Sequence, residues 1–155
     1  LGTTEVVFLD VPTLLTNTPA DAASLSAPKP ADIAMLQYTS GTTGDSKGVM
    51  LTHAAILANI RQTIPTCHMH SSDVFASWLP VYHDMGLITM TMCPLYLGAR
   101  LVLLPVALSA DTWLNTIQRE RATVTAAPDF AYRFVLRTCG DPSNYDLSSL
   151  RMALI

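Results

Sequence analysis

The chain has 155 residues, with nine Lys and Arg against twelve Asp and Glu, which gives a formal net charge of −3. This length corresponds to one domain or part of one, and the acidic balance without a basic cluster argues against a nucleic-acid surface or a polybasic membrane patch. Charged residues make up only 14% and apolar residues 50%, whereas about 25% charged residues is usual, so we expect the folded interior part of a larger protein.

Residues 1–32 read as a connecting segment with a short strand. The strand is predicted at Val6–Leu9, where four apolar residues follow one another. Thr16–Asp32 is rich in Pro, Ala, Ser and Thr, and its prolines oppose regular structure. Residues 33–155 are predicted to form one partial domain.

From residue 33 onward, short apolar runs alternate with helical patterns. The predicted strands are Ala34–Tyr38, Val74–Leu79, Arg100–Leu104, Ala122–Ala126 and Met152–Ile155, and the predicted helices are Thr52–Ile64, Met85–Leu97, Asp111–Arg121 and Phe130–Thr138. Thr52 and Ser109 are predicted helix caps, Pro65 is expected to stop the first helix, and Pro94 to bend or interrupt the second.

This alternation predicts an α/β fold, with a layered, mostly parallel sheet and crossover helices. The strands are continuous apolar runs, as expected where helices cover both faces of the sheet. Ligands of such sheets bind beyond the carboxyl ends of the strands. We therefore expect the chemistry in the loops after Tyr38, Leu79, Leu104 and Ala126.

The stretch from Tyr38 to Val49 is the strongest functional signal. Its glycines permit tight turns and close approach of a ligand, its hydroxyls and N–H groups can form an anion nest, and Lys47 supplies a positive charge. The predicted phosphate-binding residues are Thr39, Ser40, Gly41, Thr42, Thr43, Gly44 and Lys47. The common P-loop pattern does not fit, because Gly48 follows the lysine where Ser or Thr is required. Taken alone, the pattern also suits a flexible polar surface loop.

Cys67, His68 and His70 lie close together in the sequence but do not have the spacing of a zinc site. We expect a solvated loop there and no metal site. The three cysteines are widely spaced and suit a reducing compartment, and Met85–Ala99 is too short and interrupted to span a membrane. A cytoplasmic protein without a transmembrane segment is expected.

Four segments resemble one known family. Tyr38–Val49 resembles the phosphate-loop signature of the adenylate-forming superfamily, with Ser46 where Pro is usual. Ser77–Ile88 (SWLPVYHDMGLI) resembles the fatty acyl-AMP ligases of that superfamily. Ala127–Tyr132 (APDFAY) is similar to their corresponding segment, with Asp129 where Asn is usual, and Asp146–Arg151 also matches. The resemblance runs from about residue 33 to residue 155 and implies part of the large N-terminal domain.

The resemblance implies a two-step ligase that uses ATP and Mg²⁺. A fatty acid carboxylate attacks the α-phosphate of ATP, giving acyl-AMP and pyrophosphate, and the acyl group then passes to a thiol of an acyl carrier protein or CoA. It places His83 near the acyl carboxylate and the α-phosphate, as the candidate catalytic residue. The implied acyl-pocket residues are His83, Met85, Gly86 and Phe130, whereas Asp84 reads more simply as a helix cap.

Several alternatives stay open on the sequence. Met85–Leu97 suits a core helix as well as an acyl tunnel, and Phe130 suits core packing as well as a pocket wall. The chain also fits a CoA ligase, an amino-acid adenylation domain or a non-catalytic nucleotide-binding remnant. The resemblance implies fatty acid or lipid metabolism, in a stand-alone enzyme or a polyketide or peptide synthetase. The sequence does not indicate the length of the acyl chain. The catalytic lysine and the Mg²⁺ ligand of the family have no counterpart here. We therefore expect the 155 residues alone to be inactive.

Overall fold

The computed structural model describes residues 27–39, 47–106 and 109–155. The elements in chain order are β1 (Ile33–Thr39), β2 (Lys47–Thr52), α1 (His53–Thr66), β3 (Val74–Ser77), α2 (Met85–Met92, a π-helix), α3 (Cys93–Leu97), β4 (Arg100–Leu103), α4 (Ala110–Glu120), β5 (Val124–Ala126), α5 (Asp129–Thr138) and β6 (Met152–Leu154). A single 3₁₀ turn, Pro142–Asn144, follows α5 in the described part of the chain. The strand predicted at Val6–Leu9 lies outside the described residues.

Four strands form a parallel sheet in the order β4-β3-β5-β6. β3 pairs in parallel with both β4 and β5, and β5 pairs in parallel with β6. Helices connect successive strands, so the predicted α/β fold with a parallel sheet is confirmed. The chain leaves β3 for β4 on one side and then returns to β5 on the other. The strand order therefore reverses between β3 and β5, and the crevice at such a reversal is where ligands of open α/β sheets bind.

The first two strands form a separate antiparallel hairpin, which corrects the predicted path from a strand through a loop directly into a helix. β1 pairs with β2 in a register that sets Tyr38 opposite Gly48 and Thr39 opposite Lys47. Lys47 therefore opens a strand and is not part of the loop. The second strand was missed because four of its six residues are exposed, so its sequence carries no buried apolar run.

The core lies between the parallel sheet and its helices. Phe75, Val124 and Ala126 are fully buried in the sheet. Trp113 of α4 is buried in the same core, and its indole N–H donates to Thr125 Oγ1 at 3.0 Å. On α1, Ile60 is buried whereas Leu57 is 37% exposed.

The helix ends differ from the predictions in two places. α1 continues to Thr66 with Pro65 inside its last turn, two residues beyond the predicted end at Ile64. The single helix predicted over Met85–Leu97 is a π-helix followed by α3, and Pro94 lies in the first turn of α3. Proline is tolerated there because the first N–H groups of a helix have no partner within it. The caps predicted at Thr52 and Ser109 are confirmed.

One buried carboxylate ties three strands together at the amino edge of the parallel sheet. Asp73 precedes β3, and its carboxylate accepts hydrogen bonds from Arg151 Nε at 2.8 Å, from Thr123 Oγ1 at 2.7 Å and from the His70 N–H at 2.7 Å. Thr123 precedes β5 and Arg151 precedes β6, while a second Arg151 nitrogen donates to the carbonyl of His68. We call Asp73, Thr123 and Arg151 the amino-edge clamp. The segment predicted as a solvated loop thus supplies backbone groups to a structural network.

Candidate active site

Two of the segments that carry the family resemblance follow neighbouring strands of the parallel sheet. Trp78–Asp84 follows β3, and Ala127–Pro128 follows β5. Because β3 and β5 are parallel neighbours, both segments leave the sheet at its carboxyl edge. They border the crevice where the strand order reverses, which is the position expected for a ligand site.

The turn after β3 holds His83 by its backbone at both ends. The His83 N–H donates to the Pro80 carbonyl at 3.1 Å, and the His83 carbonyl accepts from the Leu87 N–H at 2.8 Å. Its imidazole Nδ1 lies 2.7 Å from Asp84 Oδ1, and the side chain is 66% exposed. Asp84 also accepts from the Met85 N–H at 2.7 Å, so it caps α2 as predicted. The turn thus holds the backbone of His83 at the carboxyl edge and leaves its imidazole exposed.

Gly86 allows this turn to close. A Cβ atom at residue 86 would lie 2.1 Å from the Pro80 carbonyl oxygen and 2.9 Å from its carbon. Both atoms belong to the backbone and cannot move aside without displacing the turn. Gly86 is buried, and its role here is close packing against Pro80.

An open cleft of about 520 Å³ lies between the β1–β2 hairpin, α1 and the start of α2. Its lining is mixed: Gln37, Leu51, Ala55, Ile56, Asn59, Thr63, Asp84, Met85, Ile88 and Thr89. Of the predicted acyl-pocket residues, Met85 lines this cleft. His83 and Gly86 adjoin it in sequence but do not line it.

The cleft wall formed by α1 was not anticipated from the sequence. Ile56, Asn59 and Thr63 follow one another at intervals of three and four residues, which places them on one helix face. In the sequence, the amide of Asn59 and the hydroxyl of Thr63 are typical of a helix face that is exposed to solvent. The signal that was available is that this helix begins four residues after the glycine-rich stretch ends at Val49.

Phe130 is at the carboxyl edge but not in the cleft. It lies in the first turn of α5 and is 62% exposed. Its neighbour Tyr132 is anchored, because its hydroxyl donates to the Leu154 carbonyl at 2.8 Å. Burial raises the pKa of Tyr132 to about 12. Asp129, where the family usually has Asn, pairs with Arg133 one helical turn later at 2.8 Å.

The hairpin brings the two ends of the predicted phosphate-binding loop together. Thr39 and Lys47 lie opposite each other in the last register pair of β1 and β2, and Thr39 Oγ1 donates to the Lys47 carbonyl at 3.5 Å. Both residues are exposed. The other predicted phosphate-binding residues, Ser40, Gly41, Thr42, Thr43 and Gly44, lie outside the described residues. An exposed ammonium and an exposed hydroxyl therefore lie together at this end of the hairpin.

No metal-ligand cluster is found in the described parts of the chain. No three His, Cys, Asp or Glu side chains come together there. The three cysteines are unpaired, with Cys93 and Cys139 buried, and burial raises the pKa of the Cys93 thiol to about 11. Nor does any helix within residues 27–39, 47–106 and 109–155 have the length and apolar character needed to cross a bilayer.

Comparison with known proteins identifies the family. The model of the family described as "AMP-binding enzyme" matches residues 3–155. The chain is 42% identical over 131 residues to the medium-chain-fatty-acid–[acyl-carrier-protein] ligase TtuA of Teredinibacter turnerae, covering 81% of this chain and 20% of that protein. It is 34% identical over 128 residues to 4-coumarate–CoA ligase 1 of Arabidopsis thaliana, covering 79% and 22%.

A solved structure is similar as well. The fatty acyl-adenylate ligase of L. pneumophila, solved in complex with acyl adenylate and pyrophosphate, superimposes with a TM-score of 0.74 at 34% identity. The match covers 83% of this chain and 24% of that one. The chain thus spans about a fifth to a quarter of the length of these relatives. Since the family match extends over nearly all of its residues, the chain belongs to the AMP-binding enzyme family.

Proposed function

We propose that the protein containing this chain activates a fatty acid with ATP and then transfers the acyl group to the thiol of an acyl carrier protein. The observation that carries the proposal is the 42% identity to a ligase named for a medium-chain fatty acid and an acyl carrier protein. The similarity to a fatty acyl-adenylate ligase structure supports the adenylate-forming step.

In the first step, a carboxylate oxygen of the fatty acid attacks the α-phosphorus of ATP. The bond from that phosphorus to the oxygen bridging to the β-phosphate breaks, and pyrophosphate leaves with both electrons of the bond. Such a displacement depends mainly on positioning and on stabilising the developing negative charge. Lys47 is proposed to attract the leaving phosphates, with Thr39 and the residues of the glycine-rich loop donating hydrogen bonds.

The cleft beside α2 is proposed to receive part of the acyl chain. Met85, Ile88 and Ile56 supply an apolar lining, and methionine adapts to flexible chains because it is unbranched. His83, at the carboxyl edge, is proposed to meet the carboxylate end of the substrate and the α-phosphate. Close packing of Gly86 against Pro80 supports the turn that carries His83, and Phe130 is proposed to wall the other side of the crevice.

Mg²⁺ is proposed as a second cofactor. It usually binds through substrate phosphates together with one or two carboxylates, and it would neutralise charge on the ATP phosphates. The described residues offer no cluster for it, so no step is assigned to a metal ligand of this chain. A role in lipid or polyketide metabolism and a cytoplasmic location are proposed for this protein.

The decisive experiment is fatty-acid-dependent exchange between ATP and pyrophosphate in the full-length protein. Lys47→Ala is expected to lower the exchange rate about a hundredfold, because one charged contact to the leaving group is lost. Lys29→Ala is the matched control, since Lys29 is an exposed lysine that precedes β1, and it is expected to leave the rate unchanged. Unchanged exchange in Lys47→Ala would contradict the role given to Lys47.

The main alternative is a CoA ligase, which the 34% identity to 4-coumarate–CoA ligase 1 supports. Incubating the full-length protein with a fatty acid, ATP and either a holo acyl carrier protein or CoA separates the two. Acyl transfer to the carrier protein alone supports the proposal, and transfer to CoA alone supports the alternative. An exchange profile that prefers amino acids would instead indicate an amino-acid adenylation domain.

We expect the 155 residues by themselves to be inactive. They span about a fifth of the length of the fatty-acid ligase they match. An assay for acyl-AMP formation by the isolated chain tests this expectation, and robust product would contradict it. Absence of activity in the full-length protein as well would favour a nucleotide-binding remnant.

A further inference from the structure

The turn before β1 is closed by two hydrogen bonds between its ends. The Asp32 N–H donates to the Lys29 carbonyl at 3.0 Å, and the Lys29 N–H donates to Asp32 Oδ2 at 2.7 Å. Pro30 occupies the second position, where its fixed φ angle favours such a turn. The sequence predicts only a connecting segment here, whereas the structure has a defined turn, Lys29–Asp32.

The same turn covers the N-terminus of α1. The His53 N–H donates to the Asp32 carbonyl at 3.1 Å, and the Ala54 N–H donates to the Pro30 carbonyl at 2.9 Å. Thr52 Oγ1 accepts the next N–H of the helix. Unpaired N–H groups at a helix start are a common site for phosphate, but the first three of α1 already have acceptors. Phosphate binding is therefore left to the far end of the hairpin.

The β1–β2 hairpin has little apolar packing to hold its orientation. Leu36, Tyr38, Val49 and Met50 are exposed, and within the described residues neither strand contributes a side chain to the hydrophobic core. The hairpin is also separate from the parallel sheet. Because a two-stranded hairpin alone is only marginally stable, the hydrogen bonds at its base have a large share in fixing its direction.

The length of the hairpin amplifies any movement at its base. β1 begins directly after Asp32, and its first register pair is Ile33 with Thr52. Its last pair is Thr39 with Lys47, which lies about 20 Å away at about 3.3 Å per residue. A tilt of about 10° at the base would move that end by about 3 Å. A misplacement of about 1 Å already costs an enzyme much of its rate.

We propose that the Lys29–Asp32 turn sets the orientation of the hairpin, and thereby the position of Lys47 against the ATP phosphates, with Asp32 as the positioning residue. The inference rests on the proposed function for the role of Lys47. The hydrogen bonds at the base of the hairpin stand independently of that function. Asp32 acts through Lys47 and is given no contact with substrate.

Amide hydrogen exchange in the full-length protein tests the anchoring. Asp32→Ala removes the acceptor of the Lys29 N–H, whereas Asp32→Asn keeps a side-chain oxygen. We expect peptides covering β1 and β2 to exchange hydrogen about fivefold faster in Asp32→Ala, the usual effect of one lost hydrogen bond, with β3 and β5 unchanged. Asp32→Asn should stay close to the unaltered protein. Equal protection of the hairpin in Asp32→Ala and the unaltered protein overturns the proposal.

Fatty-acid-dependent exchange between ATP and pyrophosphate tests the link to Lys47. We expect Asp32→Ala to lower kcat/KM for ATP about fivefold, with KM for the fatty acid unchanged. Because Asp32 acts through Lys47, its effect should vanish once Lys47 is removed. The double variant Asp32→Ala/Lys47→Ala should therefore match Lys47→Ala within about twofold. A further fivefold loss in the double variant, or no loss in Asp32→Ala alone, overturns the proposal.

Asp141→Ala is the matched control. Asp141 is also an exposed residue in a proline-containing turn, where its Oδ1 accepts the Ser143 N–H at 2.9 Å, but that turn follows α5. We expect its kcat/KM for ATP and its hairpin protection to be unchanged, and losses equal to those of Asp32→Ala would overturn the proposal. Lys29→Ala keeps both bonds of the turn, because Lys29 contributes only backbone groups to them.

The two measurements separate this proposal from the proposed function. If the unaltered protein shows no exchange between ATP and pyrophosphate with any fatty acid, the proposed function fails. The hydrogen exchange of β1 and β2 still decides whether Asp32 anchors the hairpin.

Discussion

Replacing Asp73 by Asn tests whether the amino-edge clamp stabilises the parallel sheet. Burial alone would raise the pKa of Asp73, but hydrogen bonds from Arg151, from Thr123 and from the His70 N–H outweigh it and hold the pKa at about 2, against 3.8 for an ordinary Asp. This difference corresponds to about 2 kcal/mol of folding free energy. Since the Arg151 side chain is 35% exposed, water can solvate it after the change, so we expect a cost near this value rather than the 3–5 kcal/mol of fully buried pairs.

The sign of the pH dependence follows from the lowered pKa. A carboxylate with a depressed pKa in the folded state stabilises the protein above the pKa of the unfolded state. The contribution of Asp73 is therefore complete above about pH 5 and is lost as the pH falls from near 4 towards 2. In Asp73→Asn this part of the acid destabilisation should be missing.

Amide hydrogen exchange of peptides covering β3 and β5 measures the effect in the full-length protein. At pH 7 we expect exchange in Asp73→Asn to be about thirtyfold faster than in the unaltered protein, with a much smaller difference at pH 2. Asp129→Asn is the control, because its pair with Arg133 is exposed and should contribute less than about 0.5 kcal/mol. Equal protection of β3 in Asp73→Asn and Asp129→Asn at pH 7 would refute the reasoning.

Three further predictions concern single contacts. Gly86→Ala forces a methyl group onto the Pro80 carbonyl, so we expect thermal unfolding to show a loss of about 1–3 kcal/mol of stability. Displacement of the turn that carries His83 should also lower the rate of ATP–pyrophosphate exchange. An unchanged melting temperature and exchange rate would contradict this. Tyr132→Phe removes the hydrogen bond to the Leu154 carbonyl and should cost about 1 kcal/mol of folding free energy. In the unaltered protein, ultraviolet titration should find one tyrosine that ionises near pH 12. Because the pKa of Tyr132 is higher in the folded than in the unfolded state, stability should fall as the pH rises above about 10. Ser109→Ala removes the cap of α4 and should cost about 1 kcal/mol in urea unfolding, with Ser109→Asp, which keeps a capping oxygen, close to the unaltered protein.

The parallel sheet was predictable because its strands are buried. Phe75–Ala76 and Val124–Ala126 are almost completely inaccessible to solvent, so their sequences are short continuous apolar runs between polar turns. The hairpin was not predictable by the same means. Met50 is 67% exposed and Leu36 is 51% exposed, so apolar residues there do not report on burial.

The candidate site was predictable only in part. The position of His83 came from the family resemblance, and the fold rule for parallel sheets places the same turn at the carboxyl edge. The wall formed by Asn59 and Thr63 could not be separated from an ordinary solvent-facing helix side. The amino-edge clamp was also missed, because Asp73 is 50 residues from Thr123 and 78 from Arg151, and only the folded sheet brings them together.

The amino-edge clamp separates the contacts that align the strands from the proposed site, which lies at the other end of the sheet. Its hydrogen bonds fasten the starts of β3, β5 and β6, whereas the segments with the proposed chemistry leave from the opposite ends of β3 and β5. Substitutions at the carboxyl edge leave these hydrogen bonds in place. We therefore expect the register of the sheet to tolerate changes in the residues that would contact substrate.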